Sequence, residues 1–331
     1  ANFRVDNSTP QKDGYELWLE INETKDILEA HQRARELAYQ PLFSIITPVY
    51  NTDAQFLKAA IESVLAQAYK NWEMCICNDG STNPEVRRLL DQYSNQDRRI
   101  RVTHLDKNSG ITAASNGALA LATGEYITLM DSDDVLSAHA LYEVVKLLNA
   151  HPDADFIYSD EDKVDTSGKR YEPFFKPDWS PDLFLSCNYI AHLTTIRRGL
   201  VSQIGGFHSG YEGSQDYDLY LRAIEKTDKI FHLPMILYHW RSIPSSTASD
   251  PYVRMTAHTA AKKALEDHLL RERIDAYVTK GYSIGRWRVQ YILKEPLGVS
   301  IIMPTGGKMQ FLKKCLAGVA QNDYPWRDCS R

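Results

Sequence analysis

Apolar residues recur along this chain with two spacings, and the two take turns. From Tyr15 to about Tyr39, Leu17, Ile21, Ile27, Leu28, Ala34 and Leu37 fall at near-helical intervals with charges between them. This predicts an accessory helical segment packed on the main body, ended by Pro41. Phe43 to Asn51 then reads as a buried strand running into a loop. Asp53–Ala68 carries Phe56, Leu57, Ala60, Ile61, Val64 and Leu65 at helical spacing. Trp72–Cys77 is a second strand, stopped by Asn78-Asp79-Gly80-Ser81, and Pro84 to about Tyr93 a second helix. Ile100–Leu105 is a third strand, stopped by Asp106-Lys107-Asn108-Ser109-Gly110; Ile111–Ala122 is a small-residue helix and Glu125–Met130 a fourth strand. Such alternation predicts an α/β fold with a doubly wound, mostly parallel central sheet and helices on both faces. All four strands end in polar or glycine-bearing loops, which should meet along the edge where open α/β sheets bind ligands.

The pattern then loosens. Ser137–Ala150 reads as a helix and Phe156–Tyr158 as a strand, followed by a long irregular segment, 160–182, rich in Asp, Pro, Lys and aromatics. Leu193–Arg197 is a strand, Gly205-Gly206-Phe207 a turn, Gln215 to about Glu225 a helix, and Lys229–Trp240 a strand interrupted by Pro234. Arg241–Asp250 is a polar, Ser-rich loop, Tyr252 to about Arg273 a long helix, and Ala276–Leu293 two strands around Gly281 and Gly285. Pro296 to Pro304 echoes Pro41 to Pro48, Phe311-Leu312-Lys313 echoes Phe56-Leu57-Lys58, and Asp323-Tyr324-Pro325-Trp326 loosely echoes Ala68 to Trp72. The expected organisation is a helical segment over 1–40, a main domain over 41–295, and over 296–331 the start of a second similar domain in a longer natural protein.

Composition narrows the class. The chain has 331 residues, 43% hydrophobic and 24% charged, with a net charge of -5. That is ordinary for a globular protein and argues against nucleic acid as the main partner. No apolar run is long enough to span a bilayer, and no signal-peptide pattern opens the chain. Five cysteines at irregular spacing suggest neither a disulfide framework nor a zinc site. They fit a reducing cytoplasm, and a peripheral membrane association is compatible.

The richest chemistry stands where the fourth strand ends. Tyr126-Ile127-Thr128-Leu129-Met130 runs into Asp131-Ser132-Asp133-Asp134. Along an extended chain Asp131 and Asp133 point the same way. Two oxygen-rich side chains facing one spot suit Mg²⁺ or Mn²⁺, which would in turn hold a diphosphate. The competing reading is a solvated acidic turn capping the helix near Ser137.

Several motifs occur in a recognisable order: Ser44-Ile45-Ile46-Thr47-Pro48-Val49-Tyr50-Asn51, Asn78-Asp79-Gly80-Ser81, Asn108-x-Gly110, Asn116, Asp131-Ser132-Asp133-Asp134 and Gln215-Asp216-x-Asp218. Over roughly residues 42–245 this order resembles family 2 glycosyltransferases with the GT-A fold. Tyr158-Ser159-Asp160-Glu161-Asp162 and Phe175-Lys176-Pro177-Asp178-Trp179 look like the subgroup that builds bacterial O-antigen and related surface polysaccharides. The resemblance implies a nucleoside-diphosphate sugar donor (UDP- or dTDP-sugar), a divalent metal, usually inversion at the anomeric carbon, and a glycan or lipid-linked acceptor.

It also implies roles. Thr47, Pro48, Tyr50, Asn51, Asp79, Asn108, Gly110, Asn116, Asp131 and Ser132 stand at the nucleotide sugar. The chemistry agrees in part: Asp79 can accept a base N–H, Tyr50 offers a flat surface, Gly110 permits close backbone approach, and Asn108 and Asn116 offer neutral hydrogen bonds. Each also has a plain reading as turn or cap chemistry. Asp133 is the first choice for direct metal ligand, with Asp131 on the ribose or the metal's water shell and His239 completing the shell. Asp216 is the candidate general base. The family's usual Glu-Asp is Gln215-Asp216 here, which leaves the flanking residue's role open; Asp218 serves the helix dipole. Arg241 and Ser245-Ser246-Thr247 are expected to close over the diphosphate, while Asp160, Glu161, Lys176 and Trp179 line the acceptor side or serve structure. A nucleotidyltransferase is disfavoured because Thr47–Gln55 holds neither glycine nor a basic residue. A non-catalytic sugar-binding or scaffold domain of a tandem enzyme is the alternative. In the second copy Gly306 and Gly307 stand near the places of Tyr50 and Asn51.

Overall fold

The computed structural model describes residues 14–242, 251–294 and 298–322. The Ser245–Thr247 loop and the Asp323–Trp326 part of the repeat lie outside the described residues. In chain order the elements are α1 (Gly14–Arg33), β1 (Phe43–Val49), α2 (Ala54–Leu65), β2 (Trp72–Asn78), α3 (Pro84–Gln96), β3 (Ile100–His104), α4 (Ile111–Leu119), β4 (Tyr126–Leu129), β5 (Val135–Leu136) and α5 (Ala140–Ala150). There follow β6 (Phe156–Val164), β7 (Arg170–Phe174), α6 (Pro181–Phe184), β8 (Thr194–Arg197), α7 (Arg198–Gln203), α8 (Gln215–Ile224), β9 (Ile230–Arg241), α9 (Pro251–Arg271), β10 (Ala276–Lys280), β11 (Trp287–Tyr291) and α10 (Met309–Ala320).

One sheet runs β3-β2-β1-β4-β8-β6-β9-β5, with β7 on β6. Its first four strands are parallel. Strand β8 then enters antiparallel to both β4 and β6, while β6 and β9 are parallel. Alternation explains the helices on both faces. Ile45, Val49, Met74 and Ile76 pack with α2, α3 and α5, whereas Ile46, Cys75 and Cys77 pack with α4, α8 and α9. Cys75 and Cys77 are thus core thiols, and burial pushes them up to about 12 and about 11. This is the GT-A arrangement expected from the sequence.

Three local expectations are corrected. The stretch 160–164 is not irregular but continues β6, beside β9. The acidic turn does not cap a helix: β5 intervenes, and α5 starts at Ala140 with no side-chain cap from His139. The N-terminal segment docks by only the end of its apolar stripe, with Ala30 and Ala34 buried in the core and Leu37 packed against it, and otherwise by polar contacts. Tyr15 donates to Asp162 at 2.6 Å and Arg170 pairs with Glu23 at 2.5 Å, while Leu17, Ile21 and Leu28 remain exposed. Near the chain's end α10 matches the echoed helix, but no strand forms at 299–304 and Val299, Ile301 and Ile302 are exposed. No helix of the described residues is long and apolar enough to cross a membrane.

Candidate active site

The strand ends of β1, β2 and β4 meet as the parallel topology requires. Beyond β1, Tyr50 is 48% exposed and offers an open ring face, with Pro48 half-buried behind it. Asp79 is buried, and its two carboxylate oxygens accept the backbone N–H groups of Ser109 (2.7 Å) and Gly110 (2.9 Å). It thereby fixes the loop that leads into α4, and each oxygen keeps a lone pair. Gly80 permits this approach: at φ +63°, a Cβ there would lie 2.4 Å from the Lys107 carbonyl carbon. Asn108 stands exposed on the rim, and Gly110 opens α4 at φ 90°.

Of the residues expected at the nucleotide, one is buried within its strand and two are engaged elsewhere. Thr47 is wholly buried inside β1, and its hydroxyl has no partner among the described residues. Asn51, in the left-handed region at φ 49°, accepts from Thr82 N (2.8 Å) and Asn83 N (3.1 Å), tying the first loop to the second. Asn116 is spent on Phe207, donating to its carbonyl (2.8 Å) and accepting its N–H (3.0 Å). It joins α4 to the Gly205–Phe207 turn, where a Cβ on Gly206 would lie 2.8 Å from the Asn116 amide oxygen.

The acidic loop is stapled to β9. Asp134 is buried; it accepts from the Tyr238 hydroxyl at 2.5 Å and from Arg241 N at 2.7 Å. The Tyr238 oxygen in turn accepts Asp131 N at 3.1 Å. Ser132 is buried with its hydroxyl 2.7 Å from that of Thr52. The Arg241 side chain, expected at the diphosphate, instead donates from Nε to the Asp133 carbonyl (2.6 Å) and lies over Phe56. It buttresses the loop from behind. Burial raises the pKa of Asp133, and the Asp131 charge raises it further. Burial raises that of Asp134 well above the carboxylate range, with Asp131 and Asp133 adding to it.

The histidine facing this cluster is not His239. Side chains alternate along β9, so Tyr238 and His239 point to opposite faces. The Nδ1 of His239 lies 2.6 Å from Asp162, which burial would raise but which hydrogen bonds and charges from His239 and Arg170 hold low. On the other face His192 stacks on Tyr238, with centroids 4.5 Å apart at 12°. Ligand atoms of Asp131, Asp134 and His192 all lie within 4.8 Å of one another. Both oxygens of Asp134 already accept donors. Among the described residues the Asp133 side chain makes no hydrogen bond to another side chain, so Asp131, Asp133 and His192 are the freer donors.

Asp216 opens α8, and Asn188 donates to its Oδ2 at 2.8 Å. Burial chiefly raises its pKa; His192 opposes that and Asp131 adds to it, which puts Asp216 within electrostatic reach of the cluster. Asp218 does more than serve the dipole: it is fully buried and takes Arg222 at 2.7 Å. The sequence reading missed His192, Asn188 and Tyr238. The only signal for the first two is polar side chains in an otherwise apolar run, Asn188-Tyr189-Ile190-Ala191-His192-Leu193.

A half-parallel sheet with an acidic loop at the end of β4 and the Asp216 carboxylate within electrostatic reach of it is the arrangement of a sugar-transferase domain of the GT-A type. Residues 44–205 match the family model described as glycosyl transferase family 2, and the chain carries a glycosyltransferase domain of that family. It is 42% identical over 288 residues to the protein y4gI of Sinorhizobium fredii, covering 86% of this chain and 32% of that protein. It is 35% identical over 317 residues to the O-antigen biosynthesis protein RfbC of Myxococcus xanthus, covering 96% of this chain and 25% of that protein. The chain thus spans a third or less of these relatives' length. Its fold matches the crystal structure of S. aureus TarS 1-349 in complex with UDP-GlcNAc at TM-score 0.57 and 20% identity, covering 69% of this chain and 66% of that one.

Proposed function

We propose that this domain moves a sugar from a nucleoside-diphosphate sugar to a glycan or lipid-linked acceptor, with inversion at the anomeric carbon, in the synthesis of an O-antigen-like surface polysaccharide. Asp131, Asp133 and His192 are the residues that would hold Mn²⁺ or Mg²⁺. Two carboxylates and an imidazole suit such an ion, and the crowded like charges that raise Asp133 and Asp134 are what a cation relieves. When bound, the ion offsets charge on the departing diphosphate. Tyr50 and Asp79 stand where a uracil or thymine base would stack and donate its N–H. Asp216, held by Asn188, takes the proton from the acceptor hydroxyl. That oxygen bonds to the anomeric carbon as the opposite carbon–oxygen bond to the diphosphate breaks.

The observation that carries this reading is the meeting of the acidic loop, His192 and Asp216 at one sheet edge. The relationship to RfbC supports the polysaccharide role, and the UDP-GlcNAc bound by TarS supports a uridine nucleotide. The reading extends to work at the cytoplasmic face of the membrane and to residues 296–331 as the start of a second such domain. Nucleoside diphosphate release is measured on the purified chain with Mn²⁺, acceptor glycan and a panel of UDP- and dTDP-sugars. Asp216→Asn is expected to lose about 10²–10⁴-fold in turnover while still binding nucleoside diphosphate with Mn²⁺ in calorimetry. Full turnover in that variant removes the base, and unchanged turnover in EDTA removes the cation.

A further inference from the structure

Lys176 is buried to 0% side-chain exposure, an unusual place for an ammonium group. All three of its N–H bonds are spent. They go to the Glu161 carboxylate (3.1 Å), the Ile190 carbonyl (2.6 Å) and the His192 carbonyl. The same Glu161 oxygen accepts the backbone N–H of His192 at 3.3 Å. One ion pair therefore grips His192 on both sides of its α-carbon, from β6 and from the segment after β7. Ala191, between the gripped carbonyls, sits at φ 30°, where a non-glycine backbone is strained and needs holding. A buried ion pair is poor stability engineering, because an apolar pair of the same volume does as well or better. What an apolar pair could not do is hold two carbonyls and an amide of one loop.

We infer that Lys176 and Glu161 are positioning residues that set His192 against the acidic loop, so that the Phe175-Lys176-Pro177 segment acts on the site through a histidine it supports from behind. This rests on the proposed ligand role of His192. Lys176, wholly buried, can act only through the groups it holds. Residues that orient a ligand are typically worth about 10–100-fold in metal affinity or activity.

The test is a double-mutant cycle read by Mn²⁺ titration with electron paramagnetic resonance, with no sugar donor present. Lys176→Met is expected to weaken Mn²⁺ binding about 10–100-fold, and His192→Ala at least as much. In the His192→Ala background Lys176→Met should cost nothing further, because the residue it acts through is gone. If Lys176→Met costs the same in both backgrounds, the lysine serves only structure and the inference is overturned. If His192→Ala leaves Mn²⁺ binding intact, the ligand role itself falls, and the inference with it. Glu161→Gln keeps the shape of the pair and runs the same cycle should Lys176→Met not fold; the same two outcomes decide it.

Discussion

The two halves of the sheet are built by different means. In the parallel half, β3-β2-β1-β4, the loops are fixed by backbone groups and short turn side chains. Asp79 holds two amides, Asn51 holds two more, and Gly80 lets two loops touch. In the mixed half, β8-β6-β9, charges are carried inside strands and matched there. Asp160 meets His232 at 2.8 Å and Asp162 meets His239 and Arg170; helix α8, packed on this half, does the same with Asp218 and Arg222. The first half holds its loops largely through the backbone, with Glu73 of β2, bonded to Ser44 and Arg101, the charge buried inside its strands. The second positions single groups by charge, at the cost of depending on every partner.

The largest expected contrast lies between neighbours on one helix. Asp218→Ala leaves Arg222 buried without its carboxylate, which typically costs about 3–5 kcal/mol. Urea denaturation should show that loss, while turnover per folded molecule is kept. Asp216→Asn should do the reverse. Equal stability of both variants would break the distinction drawn between a charge that holds the fold and a charge that serves the site. In the parallel half, Gly80→Ala adds a Cβ 2.4 Å from the Lys107 carbonyl carbon at φ +63°. It is expected to cost about 1–3 kcal/mol in thermal unfolding. A neutral result would mean that the loops there are looser than their contacts imply.

The smallest expected effect is on pH. Burial raises Asp216 above its ordinary 3.8, against the pull of His192. The working carboxylate is therefore present only above that raised value, and kcat/KM should fall as pH drops through it. Without added metal, His192→Ala removes the opposing influence, so the acid limb of the Asp216 carboxyl, followed by NMR, should shift to higher pH. A limb that stays put or moves down would detach Asp216 from the cluster.

The same contrast governs what the sequence could reveal. Strand and helix spacing made β1 to β4 and their intervening helices legible, because each was bounded by its own turn residues. The acidic loop, Asp79 and Asp216 read as candidates because carboxylates ending strands or opening helices stand out. The second half of β6 was misread because Asp160 and Asp162 look solvent-facing until His232 and His239 are known to lie against them, more than seventy positions away. His192 was missed for the same reason, since the groups it faces, Asp131 and Asp134, are some sixty positions earlier. Asn51 and Asn116 were assigned to the ligand because an amide reads alike whether it will meet ribose or backbone. His239 was assigned to the metal although it faces away, because its sheet face is set by the phase of β9, which the irregular pairing around Pro234 hides.

That phase also limits how the chain can vary in length. Between Ser159 and Glu161 of β6, β9 already accommodates extra residues, with Leu233, Ile236 and Tyr238 taking successive partners. An insertion there meets a ladder that is already uneven and can be absorbed as a wider bulge. One added residue between Tyr238 and Arg241 cannot, because with the Tyr238 hydroxyl kept on Asp134 it would flip the Arg241 side chain away from the Asp133 carbonyl. Homologous chains should therefore differ in residue count before Tyr238 and keep a fixed three-residue step from that tyrosine to the arginine.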